Sequence, residues 1–203
     1  MIVTTEDRRA RERAARRQLI VDTARQVAEA EGWDAVTTRR LSTEIEYSQP
    51  VLYKHFAGME QIADAVAVEG FGELAEATRA AQSGSAGPGD ALTRTAHAYL
   101  DFARDNPAVY DAMFTRSTTL PFAATDTPVQ LVEAFAELRQ AVGAIAGKQD
   151  VDTLTELFWA ALHGLVTLAR GGRLRPDYES VRLDLLVNAF VGGRETTRSA
   201  SAS

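Results

Sequence analysis

The chain has 203 residues, a net charge of −6 and no cysteine. The lack of cysteine excludes disulfide bonds and thiolate metal ligands, and the length suffices for one domain or two closely packed ones. The longest nearly apolar run, residues 157–169, contains a histidine and is too short to span a bilayer. The N-terminus lacks the apolar segment of a secretory signal. We therefore expect a soluble, cytoplasmic protein with no membrane partner.

The first segment of the chain is basic. Six arginines lie between residues 8 and 17, and such a run attracts phosphate with an affinity that falls steeply with salt. If the helices that follow bind DNA, residues 1–17 form an arm that reaches an adjacent groove, with Arg16 and Arg17 among its contacts. The alternative is a solvated arm or helix extension, as most charge runs are.

A first helix is predicted over residues 18–30. Ile20 and Ala24 begin an apolar stripe at helical spacing, and Gly32 ends the helix. Trp33 is then expected to fill the small core of a three-helix N-terminal domain.

Residues 36–56 have the length and punctuation of two short helices joined by a tight turn. Thr37 or Thr38 can cap the first helix through its hydroxyl. Ser48 can cap the second, with Pro50 just inside it, where the missing N–H costs nothing. A short helix, a turn and a capped second helix with a polar outer face predict a helix-turn-helix that reads the DNA major groove.

The outward-facing side chains of this motif are candidate DNA contacts. Gln49 can offer an amide to a base edge, Val51 can touch a thymine methyl, and Arg39 can reach a guanine or a phosphate. Packing against the first helix is the alternative role for Tyr53 and His55. The full set of candidates is Arg16, Arg17, Thr38, Arg39, Ser48, Gln49, Pro50, Val51, Tyr53, Lys54 and His55.

The remaining pattern is helical throughout. It predicts an all-α fold in which a three-helix helix-turn-helix head, residues 18–57, is joined to a larger helical domain, residues 58–193. The helices expected in that domain cover residues 58–82, 90–105, 108–114, 129–146, 152–170 and 178–191. The loop at 83–89 is rich in glycine and serine, and we expect residues 194–203 to form a disordered tail.

The segments EGWDAVT, TTRRL and SQPVLYKHF resemble the TetR/AcrR family of transcriptional regulators over residues 17–68. The chain has Glu46-Tyr47-Ser48 where that family usually has Gly-Val-Ser, and Met59 where it usually has lysine. A left-handed backbone at Glu46 would cost roughly 1–2 kcal/mol that glycine avoids.

A second resemblance concerns the C-terminal half. FWAALHGLVTLARGGRLRP, through Trp159, His163 and Gly164, and the segment Tyr99–Phe114 resemble the WHG-type regulatory domain. The two resemblances imply a ligand-responsive DNA-binding regulator, a repressor by majority behaviour, which binds a palindromic operator as a homodimer and is released by a small-molecule effector.

The family resemblance also implies where the effector and the partner subunit bind. For most effector candidates an ordinary core role is the stronger alternative, and core packing is also the alternative for the last two helices. The effector candidates are Tyr99, Phe102, Tyr110, Met113, Phe114, Phe122, Phe135, Trp159 and His163. The dimerisation candidates are Leu162, Leu165, Val166, Val181, Leu185 and Phe190.

No catalytic or metal-binding pattern competes with this interpretation. The three histidines do not form HExxH or a paired glutamate–histidine motif, and the chain has neither GxSxG nor a glycine-rich phosphate loop. We expect no enzyme activity, no cofactor and no metal. Two alternatives stay open: a helical small-molecule carrier that has lost specific DNA binding, and a helical enzyme that uses His163.

Overall fold

The computed structural model describes residues 4–116, 120–122 and 124–199 of the chain. Within these ranges the regular structure is helical and no strand occurs, which confirms the all-α prediction. A short 3-10 turn, Trp33–Ala35, follows the first helix. The helices are α1 (Thr5–Glu31), α2 (Thr38–Glu44), α3 (Gln49–Tyr53), α4 (Met59–Gln82), α5 (Pro88–Asp105), α6 (Pro107–Phe114), α7 (Val129–Gly143), α8 (Val151–Arg170) and α9 (Glu179–Ser199).

The chain folds into two compact units. The first comprises Met1–Gly70 and Asn106–Pro128, and the second comprises Phe71–Asp105 and Val129–Ser203. The sequence places the domain boundary at residues 57–58, whereas in the structure α6 belongs to the same unit as the helix-turn-helix. The reason is that α6 contacts α1, although the two helices are far apart in the sequence.

The N-terminal segment is helical rather than an arm separate from the first helix. α1 begins at Thr5 because Thr4 and Asp7 form a capping box: the Thr4 hydroxyl accepts the Asp7 N–H at 3.1 Å, and the Asp7 carboxylate accepts the Thr4 N–H at 3.0 Å. Every side chain from Thr4 to Leu19 is exposed, and Ile20 is the first buried residue. The chain therefore projects a basic helical extension beyond the core of the first unit.

The core of the first unit follows the predicted periodicities. Leu41 and Ile45, four residues apart on and just after α2, are 0% and 8% exposed, and Leu52 and Phe56 are 2% and 3% exposed. The Thr37 hydroxyl accepts the Arg40 N–H at 3.1 Å and so caps α2, as the sequence predicts.

The second unit packs α5 against α7, α8 and α9, and α7 against α8. Phe158 on α8 meets Phe190 on α9 edge to face, with ring centroids 5.1 Å apart. Glu137 is buried on α7, where its carboxylate accepts from the Arg79 guanidinium at 2.8 Å. The last helix continues to Ser199, so the prediction of a disordered tail from residue 194 is wrong as far as 199, and residues 200–203 lie outside the described ranges.

None of the helices in the described ranges combines the length and the apolar character needed to cross a membrane.

Candidate nucleic-acid interface

The turn between α2 and α3 is a Schellman motif closed by a glutamate. The Tyr47 N–H donates to the Ser42 carbonyl at 3.0 Å, and the Glu46 N–H donates to the Thr43 carbonyl at 3.4 Å. Glu46 takes the left-handed position, with φ of 55°. Glycine normally occupies this position because a Cβ there is strained. The turn keeps its usual hydrogen bonds, so the non-glycine residue alters its cost and not its geometry.

Helix α3 is short and is held by its buried face. Ser48 occupies the N-cap position with extended backbone, but its hydroxyl makes no capping hydrogen bond, contrary to the prediction. Pro50 lies in the first turn, as predicted. Leu52 and Phe56 anchor the segment in the core, which leaves the opposite face of α3 to solvent.

The DNA-binding candidates lie on the first unit, mostly exposed. Tyr53 is 54% exposed, while Val51, Thr38 and His55 are half-buried. The other exposed candidates are Arg16, Arg17, Arg39, Ser48, Gln49, Pro50 and Lys54. This arrangement makes the amide of Gln49 and the phenol of Tyr53 available to a ligand as broad as a duplex.

The N-terminal part of α1 lies close to the end of α3. The Arg17 guanidinium stacks over the Phe56 ring, 4.4 Å from its centroid. Burial lowers the pKa of His55 below its ordinary value, and the positive charges of Arg16, Arg13, Arg17 and Lys54 lower it further. The basic helix and the end of α3 therefore form one cationic surface.

Helix α6 and its N-cap residue are tied to α1 and to the turn after it by four side-chain hydrogen bonds. The Glu29 carboxylate accepts the free N–H groups of Ala108 and Val109, each at 3.0 Å, and so caps α6 from another helix. The Arg25 guanidinium donates to the Asn106 side-chain oxygen at 2.9 Å. The Trp33 indole donates to the Ala108 carbonyl at 2.8 Å.

Trp33 therefore does not fill the core of the three-helix domain, contrary to the prediction from the sequence. Its ring is half-buried, between the α6 contact and the Arg116 guanidinium, which lies 5.1 Å from the ring centroid. Polar Glu29 gives no local signal of its role, because its partners follow about eighty residues later.

The effector candidates divide between the two units. Tyr110, Met113, Phe114 and Phe122 belong to the first unit, and the other five belong to the second. Tyr110 and Met113 are each 1% exposed, which fits a core role, whereas Phe122 is 44% exposed.

In the second unit, Tyr99 and Trp159 are directly linked. The Trp159 indole donates to the Tyr99 hydroxyl at 3.1 Å, and Tyr99 is fully buried. His163 is half-buried, and burial lowers the pKa of its imidazole. Phe102 is buried and Phe135 is half-buried. No group of three or more His, Asp or Glu side chains within the described residues could hold a metal ion.

The second unit contains a pocket that the sequence does not predict. Its volume is about 240 Å³, and none of the nine effector candidates lines it. Three arginines and one glutamate, Arg104, Arg170, Arg182 and Glu179, surround an apolar wall formed by Leu100, Ala103, Leu165, Val166, Ala169 and Leu174. Arg104 is held by Asp101 at 2.7 Å and by Glu179 at 2.5 Å. These polar residues belong to three helices, so no local sequence pattern brings them together.

The dimerisation candidates are only partly on the surface. Leu162 is fully buried and Val166 is 7% exposed, so both are core residues of the chain itself and not surface available to a partner. Val181 and Leu185 on α9 are 48% and 66% exposed. Leu165 and Phe190 are half-buried.

Two exposed leucines on α8 extend the apolar surface beyond the predicted set. Leu157 and Leu168 are 58% and 41% exposed. They share a helical face with Ala161 and Gly164, at spacings of four, three and four residues. A Cβ added at Gly164 would meet no atom within 4 Å.

Two family models match separate parts of the chain. A family model described as "Bacterial regulatory proteins, tetR family" matches residues 20–66, and one described as "Tetracyclin repressor-like, C-terminal domain" matches residues 92–190. HTH-type transcriptional regulator Rv0681 of Mycobacterium tuberculosis is 30% identical over 198 residues, 92% of this chain and 86% of that protein. The chain belongs to the TetR family of bacterial regulatory proteins.

Solved structures share the TetR-family fold at lower identity. A Rhodococcus sp. RHA1 protein of unknown function has a TM-score of 0.74 and 23% identity, covering 87% of this chain and 94% of that one. BioQ, solved with its natural double-stranded DNA operator, has a TM-score of 0.60 and 22% identity, covering 86% and 97%.

The family resemblance seen in the sequence is confirmed, and this TetR-family protein is a DNA-binding transcriptional regulator. The N-terminal family model begins at Ile20, the first buried residue of α1, and so leaves the basic extension outside the match.

Proposed function

We propose that this TetR-family regulator is a cytoplasmic repressor that binds a palindromic operator as a homodimer and is released by a small-molecule effector. The observation that carries the proposal is the exposed face of α3, with Gln49 and Tyr53 outward and Leu52 anchored beneath them. Repression is the majority behaviour of the family.

In this proposal Gln49 reads a base edge through its amide, and Val51 and Arg39 add a thymine-methyl and a guanine or phosphate contact. Tyr53 and Lys54 bind the sugar–phosphate backbone and set the register of α3 in the groove. The other members of the candidate set act with them on the backbone: Arg16, Arg17, Thr38, Ser48, Pro50 and His55.

The operator can be found by selecting genomic fragments with the purified protein and measuring the recovered duplex by fluorescence anisotropy. Gln49→Ala should weaken operator binding by about 5- to 150-fold per half-site, the effect of losing one bidentate base contact in each. Gln140→Ala, which removes an exposed amide from α7 in the second unit, is the matched control and should change nothing.

A failure to recover any preferred fragment would favour the small-molecule carrier, the alternative in which the head no longer reads DNA. In that case Gln49→Ala would also leave the weak binding to random duplex unchanged. A preferred fragment that is lost with Gln49→Ala alone supports the regulator.

For the homodimer, we propose that α8 and α9 pair with their counterparts in a second copy. The support is the exposed apolar stripe on α8, Leu157 to Leu168, together with the exposed Val181 and Leu185 on α9. Gly164 in that stripe has room for a close helix approach.

Sedimentation analysis of the double variant Leu157→Glu/Leu185→Glu tests this surface. The variant should sediment as a folded monomer, because paired helices would bury four glutamates. Val132→Glu on α7, where the side chain is 53% exposed, should leave the dimer intact. Dissociation by both variants alike would argue against a specific α8–α9 interface.

For the effector, we propose a small amphipathic anion, such as a short carboxylic acid, bound in the arginine-lined pocket. The volume of this pocket, about 240 Å³, suits a ligand of modest size. An apolar wall beside guanidinium groups suits a short carbon chain with an acidic end. The nine aromatic and related candidates stay a prediction for a site elsewhere in the chain. A ligand releases DNA only if it prefers the conformation that binds DNA poorly.

Release of labelled operator by straight-chain carboxylates of four to ten carbons tests the pocket. Arg170→Gln should weaken the response at least severalfold, while Arg94→Gln, an exposed arginine on α5 paired with Asp90, should not. The emission of Trp159 in a Trp33→Phe background reports binding within the second unit. Equal responses of both arginine variants would place the effector elsewhere.

A further inference from the structure

The face of α1 that packs against the core carries arginines in the exposed N-terminal part of the helix. Ile20, 0% exposed, lies on the buried face, and Arg16, Arg13 and Arg9 precede it at spacings of four, three and four residues. These spacings keep the four residues on one side of the helix. The stripe, defined as Arg9, Arg13 and Arg16, therefore faces the same direction as the core contacts.

The sequence of the extension specifies a helix, although no other element of the described part of the chain covers it. The Thr4–Asp7 capping box starts it, Glu6 and Asp7 occupy its first turn, and alanines with arginines fill its middle. Arg8 and Glu12 form an exposed ion pair at 3.8 Å. A helix that buries nothing across its first fifteen residues gains no packing energy within the chain.

The stripe continues directly into the cationic end of the recognition segment. Arg17, one position after the stripe, stacks on Phe56 at 4.4 Å, and Lys54 lies exposed on the same segment. The positive charge of Arg13 also contributes to lowering the pKa of His55. The arginines of α1 therefore lie close to the basic side chains at the end of α3.

We propose that the helical extension of α1 is a second DNA-binding surface, in which Arg9 and Arg13 contact phosphates of the duplex flanking the half-site read by α3. This inference rests on the proposed operator binding. The occupant is duplex phosphate because the stripe is cationic, is not buried by any helix in the described ranges and is continuous with the recognition segment.

The helical form of the extension distinguishes this mode from that of an arm. A flexible chain can enter the minor groove, whereas a helix about 10 Å wide is too broad for a groove about 6 Å wide. The extension therefore tracks the outside of the backbone. Fifteen residues at 1.5 Å per residue reach about 22 Å, the rise of about six base pairs.

The salt dependence of binding tests the stripe. Loss of two phosphate contacts per subunit, four per homodimer, should reduce the slope of log Kobs against log salt by about 3.6. Full-length Arg9→Ala/Arg13→Ala should show that reduction on a 30-base-pair random duplex and on the selected operator. The ratio of the two affinities should be unchanged, since phosphate contacts carry no sequence information.

Arg8→Ala/Arg11→Ala removes the same charge from the opposite side of the helix and is the matched control. Its slope should change by less than about half a unit, because its arginines face away from the duplex. Equal slope changes in the two double variants would show a diffuse charge effect and overturn the proposal, as would no change in either.

A proline variant separates a rigid helix from a flexible basic arm. Ala10→Pro keeps all six arginines but breaks the helix interior, and it should lower affinity and slope as the stripe variant does. Thr5→Pro, at the first helical position, is the control that a helix tolerates. Full affinity of Ala10→Pro would overturn the helical mode.

These results are separable from a failure of operator recognition. If the regulator does not read a sequence, the wild type shows no preference for the selected operator, whatever the slopes are. If only the stripe is wrong, that preference is present and the Arg9→Ala/Arg13→Ala slope equals the wild-type slope.

Discussion

The carboxylate of Glu29 on α1 accepts the backbone N–H of Val109 on α6 at 3.0 Å, across 80 residues of sequence. Its other oxygen accepts the neighbouring N–H of Ala108, and Pro107 before them has no N–H to satisfy. Glu29 thus caps α6. This helix belongs to the same unit, but the chain forms it only after leaving the first unit through α4 and α5.

Glu29→Ala should destabilise the protein by about 1–2 kcal/mol, the usual cost of losing a helix cap. Urea denaturation at fixed protein concentration measures this change. Glu12→Ala removes an exposed carboxylate from the same helix and should cost less than about 0.5 kcal/mol. Equal losses for the two variants would mean that the cap contributes nothing particular.

Gly70→Ala should destabilise the protein by about 1–3 kcal/mol because of overpacking between α4 and α6. An added Cβ would lie 2.3 Å from Val109 Cγ1 and 2.9 Å from the Met113 sulfur, which outweighs the gain of about 1 kcal/mol in helix propensity.

Gly72→Ala, two residues further along α4, is the control for Gly70→Ala. Its Cβ would be 3.4 Å from the Gln130 side chain, so this variant should be neutral or slightly more stable than the wild type in thermal unfolding. Stabilisation by both alanines would show that α6 moves away from α4 without cost.

Glu46→Gly should raise stability by about 1 kcal/mol, because glycine relieves the left-handed strain in the Schellman turn. Glu44→Gly, at the last residue of α2, makes the same chemical change where the backbone is helical. It also removes the Glu44–Arg40 ion pair, and it should lower stability by about 1 kcal/mol. The two Tm shifts should therefore have opposite signs. A loss at both positions would mean that the Glu46 side chain makes a favourable interaction larger than its strain.

The pKa of His55 should rise when DNA binds. In the free protein, burial and nearby positive charge lower it from 6.5, so the folded state binds fewer protons than the unfolded state between the two pKa values. This contribution to stability is present above pH 6.5 and is lost as the pH falls through the folded pKa. A DNA phosphate near His55 favours the protonated imidazole. Lowering the pH from 6.5 through the folded pKa of His55 should therefore strengthen DNA binding.

The His55 imidazole signals, followed by NMR against pH, measure this shift with and without duplex. Arg13→Ala should raise the pKa of His55 in the free protein, because it removes one of the neighbouring positive charges. A DNA-bound pKa at or below the free value would place His55 away from the phosphates.

The helix-turn-helix could be predicted from sequence because its determinants are local. Leu41 and Ile45 share a face by their spacing, and Thr37 and Pro50 mark the starts of the two helices. The departure from glycine at Glu46 predicts a strained turn residue if the backbone there is left-handed, and its φ of 55° confirms this.

The clamp between α1 and α6 could not be predicted, because Glu29 and Trp33 acquire partners only through the tertiary fold. The basic extension is different: the spacing of Thr4 and Asp7 is a recognisable cap signal. That signal predicts a helix, whereas the arginine run considered by itself predicts an arm.

The assignment of α6 to the first unit has a practical consequence for dissecting the molecule. The polypeptide leaves this unit after Gly70 and returns at Asn106, so a single truncation cannot yield an intact DNA-reading fragment. A fragment ending at residue 70 would strip the partners from Glu29, Trp33 and Gly70 at once. A minimal version must instead splice residue 70 to residue 106 with a short linker, or supply residues 106–116 as a separate peptide.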